Sequence, residues 1–105
     1  MNTDEIFEFP GGLDVLPVHP GRTLAAELAA RELTANALAL KLRVPASRIS
    51  EIVRGYRAIS PETALRLGRY FGTSAQFWTN LQANYDLAIA RQEFGATIEH
   101  EVEVA

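Results

Sequence analysis

Apolar residues recur every three or four positions along most of this chain, which is the spacing of amphipathic α-helices. The first such segment places Leu24 and Leu28 on one face. Pro20 precedes them and suits the first helical position, because the N–H that proline lacks would have no intrahelical partner there. The spacing therefore predicts a first helix from Pro20 to about Glu32.

Capping and terminating residues divide the next part of the chain into four further helices. Thr34 and Ser60 stand where N-caps are expected, and Gly55 and Gly72 stand where helices end. The predicted helices cover residues 35–42, 45–54, 61–71 and about 73–92, the last beginning with Thr73 and Gln76 at capping-box spacing and ended by Gly95. The side chains predicted to face the core are Leu38, Ala39, Leu42, Ile49, Ile52, Val53, Ala64, Leu65, Leu67, Phe71, Phe77, Trp78, Leu81, Tyr85, Ala88 and Ile89. The predicted fold class is all-α, with five helices joined by short links.

The two ends of the chain lack this periodicity. Residues 1–18 are interrupted by prolines and by two adjacent glycines, which indicates an N-terminal arm. In the tail, Ile98, Val102 and Val104 alternate with polar residues, a pattern compatible with a short strand. We therefore expect an arm at 1–18, a helical domain at 19–92 and an acidic tail at 93–105.

Residues 35–54 have the layout of a helix-turn-helix motif, in which two short helices cross closely and the second enters the DNA major groove. Ala39 supplies the small side chain that a close crossing needs. Because a helix turns by about 100° per residue, Ile49 and Ile52 share a buried face, and Ser47 and Glu51 lie on the opposite, polar face. The same periodicity is also compatible with an ordinary helical hairpin in a small bundle.

Charge is unevenly distributed along the chain. The formal net charge is −3, but residues 41–69 carry seven Lys or Arg against two Glu, a local net charge of +5. Residues 86–105 carry five acids against one Arg, a local net charge of −4, and residues 1–20 carry four acids and no Lys or Arg. A basic centre presents a positive surface to nucleic acid even in an acidic protein, although a solvated helical face has a similar composition.

Residue content disfavours several other kinds of chemistry. The chain has no Cys, and its two histidines, His19 and His100, are far apart in the sequence, so we expect no metal and no cofactor. No phosphate-binding glycine loop or nucleophilic serine motif is present, so we expect no enzymatic activity. No apolar run approaches the roughly 20 residues of a membrane span, and the acidic N-terminus lacks the features of a signal peptide. We therefore expect a cytoplasmic protein that does not bind membranes.

The aromatic stripe of the last predicted helix is interpreted as core or dimer seam rather than as a pocket for a small-molecule ligand. A single small domain offers few phosphate contacts, and this stripe exceeds what one side of a small bundle needs. We expect residues 74–92 to form a two-fold dimer seam that sets two recognition helices one DNA turn apart, roughly 34 Å.

Residues 19–90 resemble the HigA antitoxins, also called VapI-type proteins, of the Cro-repressor-like helix-turn-helix class. The segments that carry the resemblance are His19-Pro20-Gly21, Val44-Pro45, Arg48-Ile49-Ser50-Glu51-Ile52, Ile59 to Leu67, Phe77-Trp78 and Asn80 to Leu87. The resemblance implies a DNA-binding homodimer that neutralises a HigB-like toxin, an RNase of the RelE type, and represses its own operon. A stand-alone repressor without a toxin, and an interaction module whose motif no longer contacts DNA, are the alternatives.

The motif departs from the family pattern at two positions. Ala35 stands where a Gln often contacts a phosphate, and the neighbouring Asn36 is the candidate substitute. Arg43 stands at a turn position often filled by Gly, where a positive φ strains any residue that has a Cβ.

The residues predicted to contact operator DNA are Asn36, Ala46, Ser47, Arg48, Ser50, Glu51, Arg54, Tyr56 and Arg57. Arg48 suits guanine or a phosphate, and Glu51 suits the cytosine amino group. A toxin that binds RNA is basic, so an acidic and apolar surface suits it. The candidate toxin contacts are Phe7, Phe9 and Leu13 in the acidic arm, with the acidic tail and the exposed face of the first two helices as alternatives.

Overall fold

Five α-helices make up most of the described chain, which is residues 17–105 of the computed structural model. In chain order they are α1 (Pro20–Ala30), α2 (Ala35–Leu42), α3 (Ala46–Val53), α4 (Pro61–Phe71) and α5 (Ala75–Glu101). Over these residues the predicted all-α fold class is confirmed. The helix α2 packs on α3, α1 crosses α3, and α4 packs along α5.

The predicted helix starts are set by side-chain caps. The Thr34 hydroxyl accepts a hydrogen bond from the N–H of Ala37 at 3.0 Å, and the Ser60 hydroxyl accepts one from the N–H of Thr63 at 3.1 Å. Each satisfies an N–H that the first turn of a helix leaves without a backbone partner. Both caps confirm the sequence-based prediction.

The cap predicted for the last helix is wrong by one residue. Ser74 caps α5, accepting from the N–H of Phe77 at 3.0 Å. The Thr73 hydroxyl instead accepts from the indole N–H of Trp78 at 2.9 Å. Because the Trp78 side chain is fully buried, its N–H needs a partner inside the protein, and Thr73 is the residue that supplies it.

The turn between α2 and α3 contains a strained residue. Arg43 ends α2 in the left-handed region, with φ 61° and ψ 45°. This conformation lets its N–H reach the carbonyls of Ala39 and Leu40 as α2 ends, but it costs a residue with a Cβ about 1–2 kcal/mol. The positive φ considered for this position from the sequence is therefore confirmed.

The core lies where α1, α2, α3 and α4 meet the first turns of α5. Its fully buried side chains include Leu24, Leu38, Ile49, Ile52, Leu67 and Trp78. Both isoleucines of α3 have no exposed surface, which confirms the helical phase predicted for that helix. Phe77 of α5, also predicted to face the core, is 41% exposed. Leu65 of α4, predicted to face the core, is 64% exposed. It lies outside because Ala64, Leu67 and Gly68 already occupy the inner face of α4.

The last helix is longer than predicted. The sequence predicts an end near residue 92 and a short strand beyond it, but α5 continues through Gly95 to Glu101, so both expectations are wrong. A glycine inside a helix costs only about 1 kcal/mol, and the residues after it continue the helix. Only Trp78 and Gln82 of α5 are buried, so the second half of the helix extends away from the core.

A glycine allows α1 to cross α3 at backbone contact. A Cβ added at Gly21 would overlap the backbone carbonyl oxygen of Ile52, and it would also meet Nδ1 of His19 at 3.1 Å. Gly21 is therefore needed for its lack of a side chain rather than for its φ. The crossing fixes the last turn of α3 against the first turn of α1.

Replacing Gly21 by Ala is expected to lower the free energy of unfolding by at least about 2 kcal/mol, because the new methyl group forces α1 and α3 apart. Gly95→Ala is the matched control: its Cβ would meet only Cβ of Arg91, at 4.0 Å, inside a helix. That change should raise stability by about 0.5–1 kcal/mol. Urea denaturation followed by circular dichroism measures both, and equal stabilities would contradict the crossing geometry.

Candidate nucleic-acid interface

The face of α3 opposite the core is polar and open. Ala46 and Ser47 in its first turn are exposed, and Ser50 and Glu51 are half-buried. Ser50 donates its hydroxyl hydrogen to the carbonyl of Ser47 at 3.2 Å. Arg54, which ends the helix, is exposed. This face therefore presents hydroxyls, a carboxylate and a guanidinium at one side of the molecule, the mixture that reaches base edges in a major groove.

Arg48 lies on the flank of α3 that faces α4. Its side chain is 26% exposed, and Nη1 lies 3.4 Å from Oε1 of Glu62 in the first turn of α4. Glu62 also pairs with Arg66 at 3.0 Å, and Arg66 donates to the carbonyl of Leu42 at 2.8 Å. The guanidinium of Arg48 is therefore held at the edge of the polar face by a neighbouring helix.

The loop after α3 carries two further candidate DNA contacts. Arg57 pairs with Glu51 at 2.8 Å, and the guanidinium of Arg54 lies 5.0 Å from the centre of the Tyr56 ring. The Tyr56 side chain is 74% exposed. The loop turns at Gly55, which has φ 83°. Exposed ion pairs contribute only about 0–1 kcal/mol, so a DNA phosphate competes readily for these arginines.

The structure places eight of the nine predicted DNA contacts on α3 and on the loop that follows it: Ala46, Ser47, Arg48, Ser50, Glu51, Arg54, Tyr56 and Arg57. Asn36 lies apart from them in the chain, exposed in the first turn of α2. The candidate toxin contacts Phe7, Phe9 and Leu13 lie outside the described residues. The assignments of individual contacts therefore stay predictions.

Sequence reasoning missed the partners of these arginines. Glu62 and Arg66 stand four residues apart on one helix, a spacing that the sequence itself indicates. The pairing of Arg48 with Glu62 joins two helices across fourteen positions and leaves no local signal. It follows from the angle at which α3 meets α4.

His19 is the other residue whose role is evident only in the structure. It caps α1, its Nδ1 accepting from the N–H of Gly21 at 2.9 Å, and its ring forms a T-shaped pair with the ring of Tyr85, with 4.9 Å between the ring centres. Burial lowers the pKa of His19 below its ordinary value of 6.5, while the Asp86 carboxylate and a hydrogen bond with the Arg57 backbone act in the opposite direction. The net direction favours the neutral ring that the cap requires.

Within residues 17–105, the helices are too short or too polar to cross a membrane, and no group of three or more metal-binding side chains comes together.

Residues 24–78 match the Helix-turn-helix family, a range that covers α1 from Leu24 onward, all of α2, α3 and α4, and the start of α5. This chain belongs to the helix-turn-helix family. It is 51% identical over 86 residues to virulence-associated protein I of Dichelobacter nodosus, covering 80% of each chain.

Two solved antitoxins resemble this helix-turn-helix protein in structure. The Pseudomonas aeruginosa antitoxin HigA, solved with the higBA promoter, is 51% identical, with a TM-score of 0.81 over 83% of this chain and 96% of that one. An addiction module antidote protein of the HigA family from Coxiella burnetii is 43% identical, with a TM-score of 0.84 over 87% and 100%. The resemblance to HigA and VapI-type proteins is thereby confirmed. The family is one of DNA-binding antitoxins and regulators and not of enzymes.

The unfolding free energy of this helix-turn-helix protein is expected to fall as the pH falls below 6.5. With a lowered pKa in the folded state, His19 binds a proton more readily when unfolded, so acid favours unfolding; above the ordinary pKa of 6.5 both states are neutral and this contribution is constant. His19→Asn keeps a capping oxygen but does not titrate. Urea midpoints at pH 7.5, 6.5 and 5.5 should fall less steeply in the variant, and parallel curves would contradict the assignment.

Proposed function

We propose that this chain is an antitoxin that binds a HigB-like, mRNA-cleaving toxin in the cytoplasm and, as a dimer, binds operator DNA to repress its own operon. The observation that carries the proposal is the open polar face of α3, set on a fully buried pair of isoleucines. Its support from relatives is the 51% identity to an antitoxin solved with its promoter.

The DNA-binding part of the proposal rests on the recognition helix and on its charge. The stretch 41–69, which contains α3 and most of α4, has a local net charge of +5 in a chain whose net charge is −3. Because phosphates dominate affinity and base edges dominate specificity, the two kinds of contact should separate on this surface. We assign base contact to Ser47, Arg48 and Glu51, and phosphate contact to Tyr56 and Arg57.

The dimer part of the proposal rests on α5. In the half of the helix that leaves the core, Leu87, Phe94 and Ile98 recur at helical spacing and each is about half exposed. They form one apolar stripe on a segment that the rest of the described chain does not cover. An apolar stripe on a projecting helix suits packing against the same stripe of a second copy. The seam that we propose therefore extends beyond the expected residues 74–92, to Ile98.

The toxin part of the proposal rests on composition. The arm 1–18 combines four acidic residues with Phe7, Phe9 and Leu13. Such a segment offers negative charge and apolar anchors to a basic RNA-binding enzyme. The tail 93–105 is also acidic, but we rank it second as a toxin-binding segment. Its apolar residues belong to the stripe of α5 that we assign to the dimer seam.

Arg48→Ala and Arg57→Ala are expected to weaken operator binding in different ways. Loss of Arg48 should reduce the preference for operator over altered sequences, because a good base contact is worth about 1–3 kcal/mol of discrimination. Loss of Arg57 should weaken all sequences alike and reduce the slope of log affinity against log salt by about 0.9 for each phosphate that is no longer neutralised. Fluorescence anisotropy with the chain's own promoter region measures both. Equal, sequence-independent losses would remove the base contact from Arg48.

Deletion of residues 2–17 is expected to abolish capture of the toxin encoded by the neighbouring reading frame. It should also abolish the rescue of cell growth from that toxin, while operator binding is kept. Replacement of Glu99, Glu101 and Glu103 by Gln is the comparison, since it removes acidic charge from the tail and keeps the apolar stripe assigned to the dimer. Co-expression, pull-down and a growth assay give the result. Undiminished capture by the 2–17 deletion would disprove the role of the arm. Failure of the full chain to capture any toxin would favour a stand-alone repressor.

A further inference from the structure

Two segments that carry the sequence resemblance meet beside the loop that follows the recognition helix. His19 belongs to the first, at the start of α1, and Gln82 and Asp86 belong to the second, on α5. More than sixty positions separate them in the chain. Neither segment belongs to the polar face of α3, so contact with bases does not account for them.

Gln82 ties one end of the loop to α5. Its side chain is 8% exposed, and its Oε1 accepts from the backbone N–H of Ile59 at 2.8 Å. Its Nε2 donates to Oδ1 of Asp86 at 2.9 Å. A buried amide whose oxygen and nitrogen are both bonded has one favourable orientation, since turning it over would break both bonds. The position of Ile59 is thereby fixed relative to α5.

His19 supports the other end of the loop. The Cγ of its ring lies 4.0 Å from where a Cβ on Gly55, at the start of the loop, would stand. The ring is itself held by a hydrogen bond from the N–H of Gly21 and by a T-shaped contact with the ring of Tyr85 on α5. The loop from Gly55 to Ile59 is therefore held from α1 and from α5 at once.

We propose that His19, Gln82 and Asp86 form a loop clamp that positions Tyr56 and Arg57 against the DNA phosphate backbone without contacting DNA. This inference rests on the proposed DNA-binding function and deepens it, because it assigns DNA affinity to residues on the opposite side of the loop from the ligand. The three are positioning residues. A loop ordered before binding loses less conformational freedom when its side chains meet phosphate.

The clamp predicts that loss of Asp86 weakens DNA binding, which is the opposite of what the charge of Asp86 alone predicts. Removing a negative charge from a DNA-binding protein ordinarily strengthens binding to a polyanion. Loss of the Asp86 carboxylate also removes the acceptor for Gln82 and the charge that faces His19. If the clamp positions the loop, this second effect weakens binding. Asp86 is exposed, so its replacement leaves the apolar core intact.

The test compares Asp86→Ala with Glu93→Ala, which removes one acidic charge from an exposed position on the same helix. Asp86→Ala is expected to weaken operator binding about three- to tenfold and to lower the salt slope by about 0.9 for each phosphate that the loop no longer reaches. Glu93→Ala should bind as tightly as the unaltered chain or more tightly. Asp86→Asn keeps an acceptor oxygen for Gln82 and should recover part of the affinity.

A second experiment tests whether the clamp acts through the loop side chains that it positions. In a background that carries both Tyr56→Ala and Arg57→Ala, Asp86→Ala should cause little further loss of affinity, because the side chains that it positions are already absent. Additive losses, an unchanged salt slope, or Asp86→Ala binding like Glu93→Ala would each overturn the clamp.

Amide hydrogen exchange separates failure of the clamp from failure of the proposed function. Asp86→Ala should speed exchange at the Ile59 N–H relative to Glu93→Ala, a result that needs no DNA. An unaltered chain that does not bind its operator would contradict the proposed function, and exchange at Ile59 would still report whether the clamp holds the loop. Unchanged exchange at Ile59 would overturn the clamp whatever the DNA result.

Discussion

The first turn of α1 crosses the last turn of α3 at backbone contact distance, and the orientation of the recognition helix depends on this crossing. Gly21 makes it possible, because any side chain there would meet the carbonyl of Ile52. Ile49 and Ile52 then face the core, and the rest of α3 faces outward. A helix presented to a DNA groove must not rotate about its axis, and the isoleucines together with the crossing prevent rotation.

The charged side chains around α3 form ion pairs with one another before any ligand is present. Arg57 pairs with Glu51, and Arg48 and Arg66 share Glu62. These pairs are exposed and contribute little to stability. Their consequence is geometric: they limit the rotamers of arginines that would otherwise move freely in solvent. The surface combines a positive field with side chains whose directions are set from neighbouring elements.

The last helix has two halves with different roles in the fold. Its first turns place Trp78 in the core and Gln82 under the loop after α3. Its second half leaves the core and exposes Phe94 and Ile98. Since one rigid helix contains both halves, a partner seated on the second half would be mechanically connected to the loop through Gln82. Dimer formation and DNA contact would then share one element.

The sequence alone determined what depends on local interactions. Hydrogen-bonding side chains at Thr34 and Ser60 begin helices at the predicted residues, and the three- and four-residue spacing of Ile49 and Ile52 sets the buried face of α3. Caps and periodicity act within a few positions of the chain, so their outcome is encoded there. The candidate residues on α3 could be named for the same reason. Once the buried face of a helix is known, the helical repeat gives the residues on the opposite, exposed face.

Tertiary structure decided what depends on residues that are distant in the chain. Leu65 has the spacing of a core residue, but Ala64, Leu67 and Gly68 occupy the inner face of α4. Thr73 has the spacing of a cap, but the Thr73 hydroxyl accepts a hydrogen bond from the buried indole N–H of Trp78. Ser74 caps α5 instead. His19 meets Tyr85 only because α1 and α5 pack against each other in the folded protein. Competition for space and for hydrogen-bond partners is settled when the helices pack, and no local pattern contains its outcome.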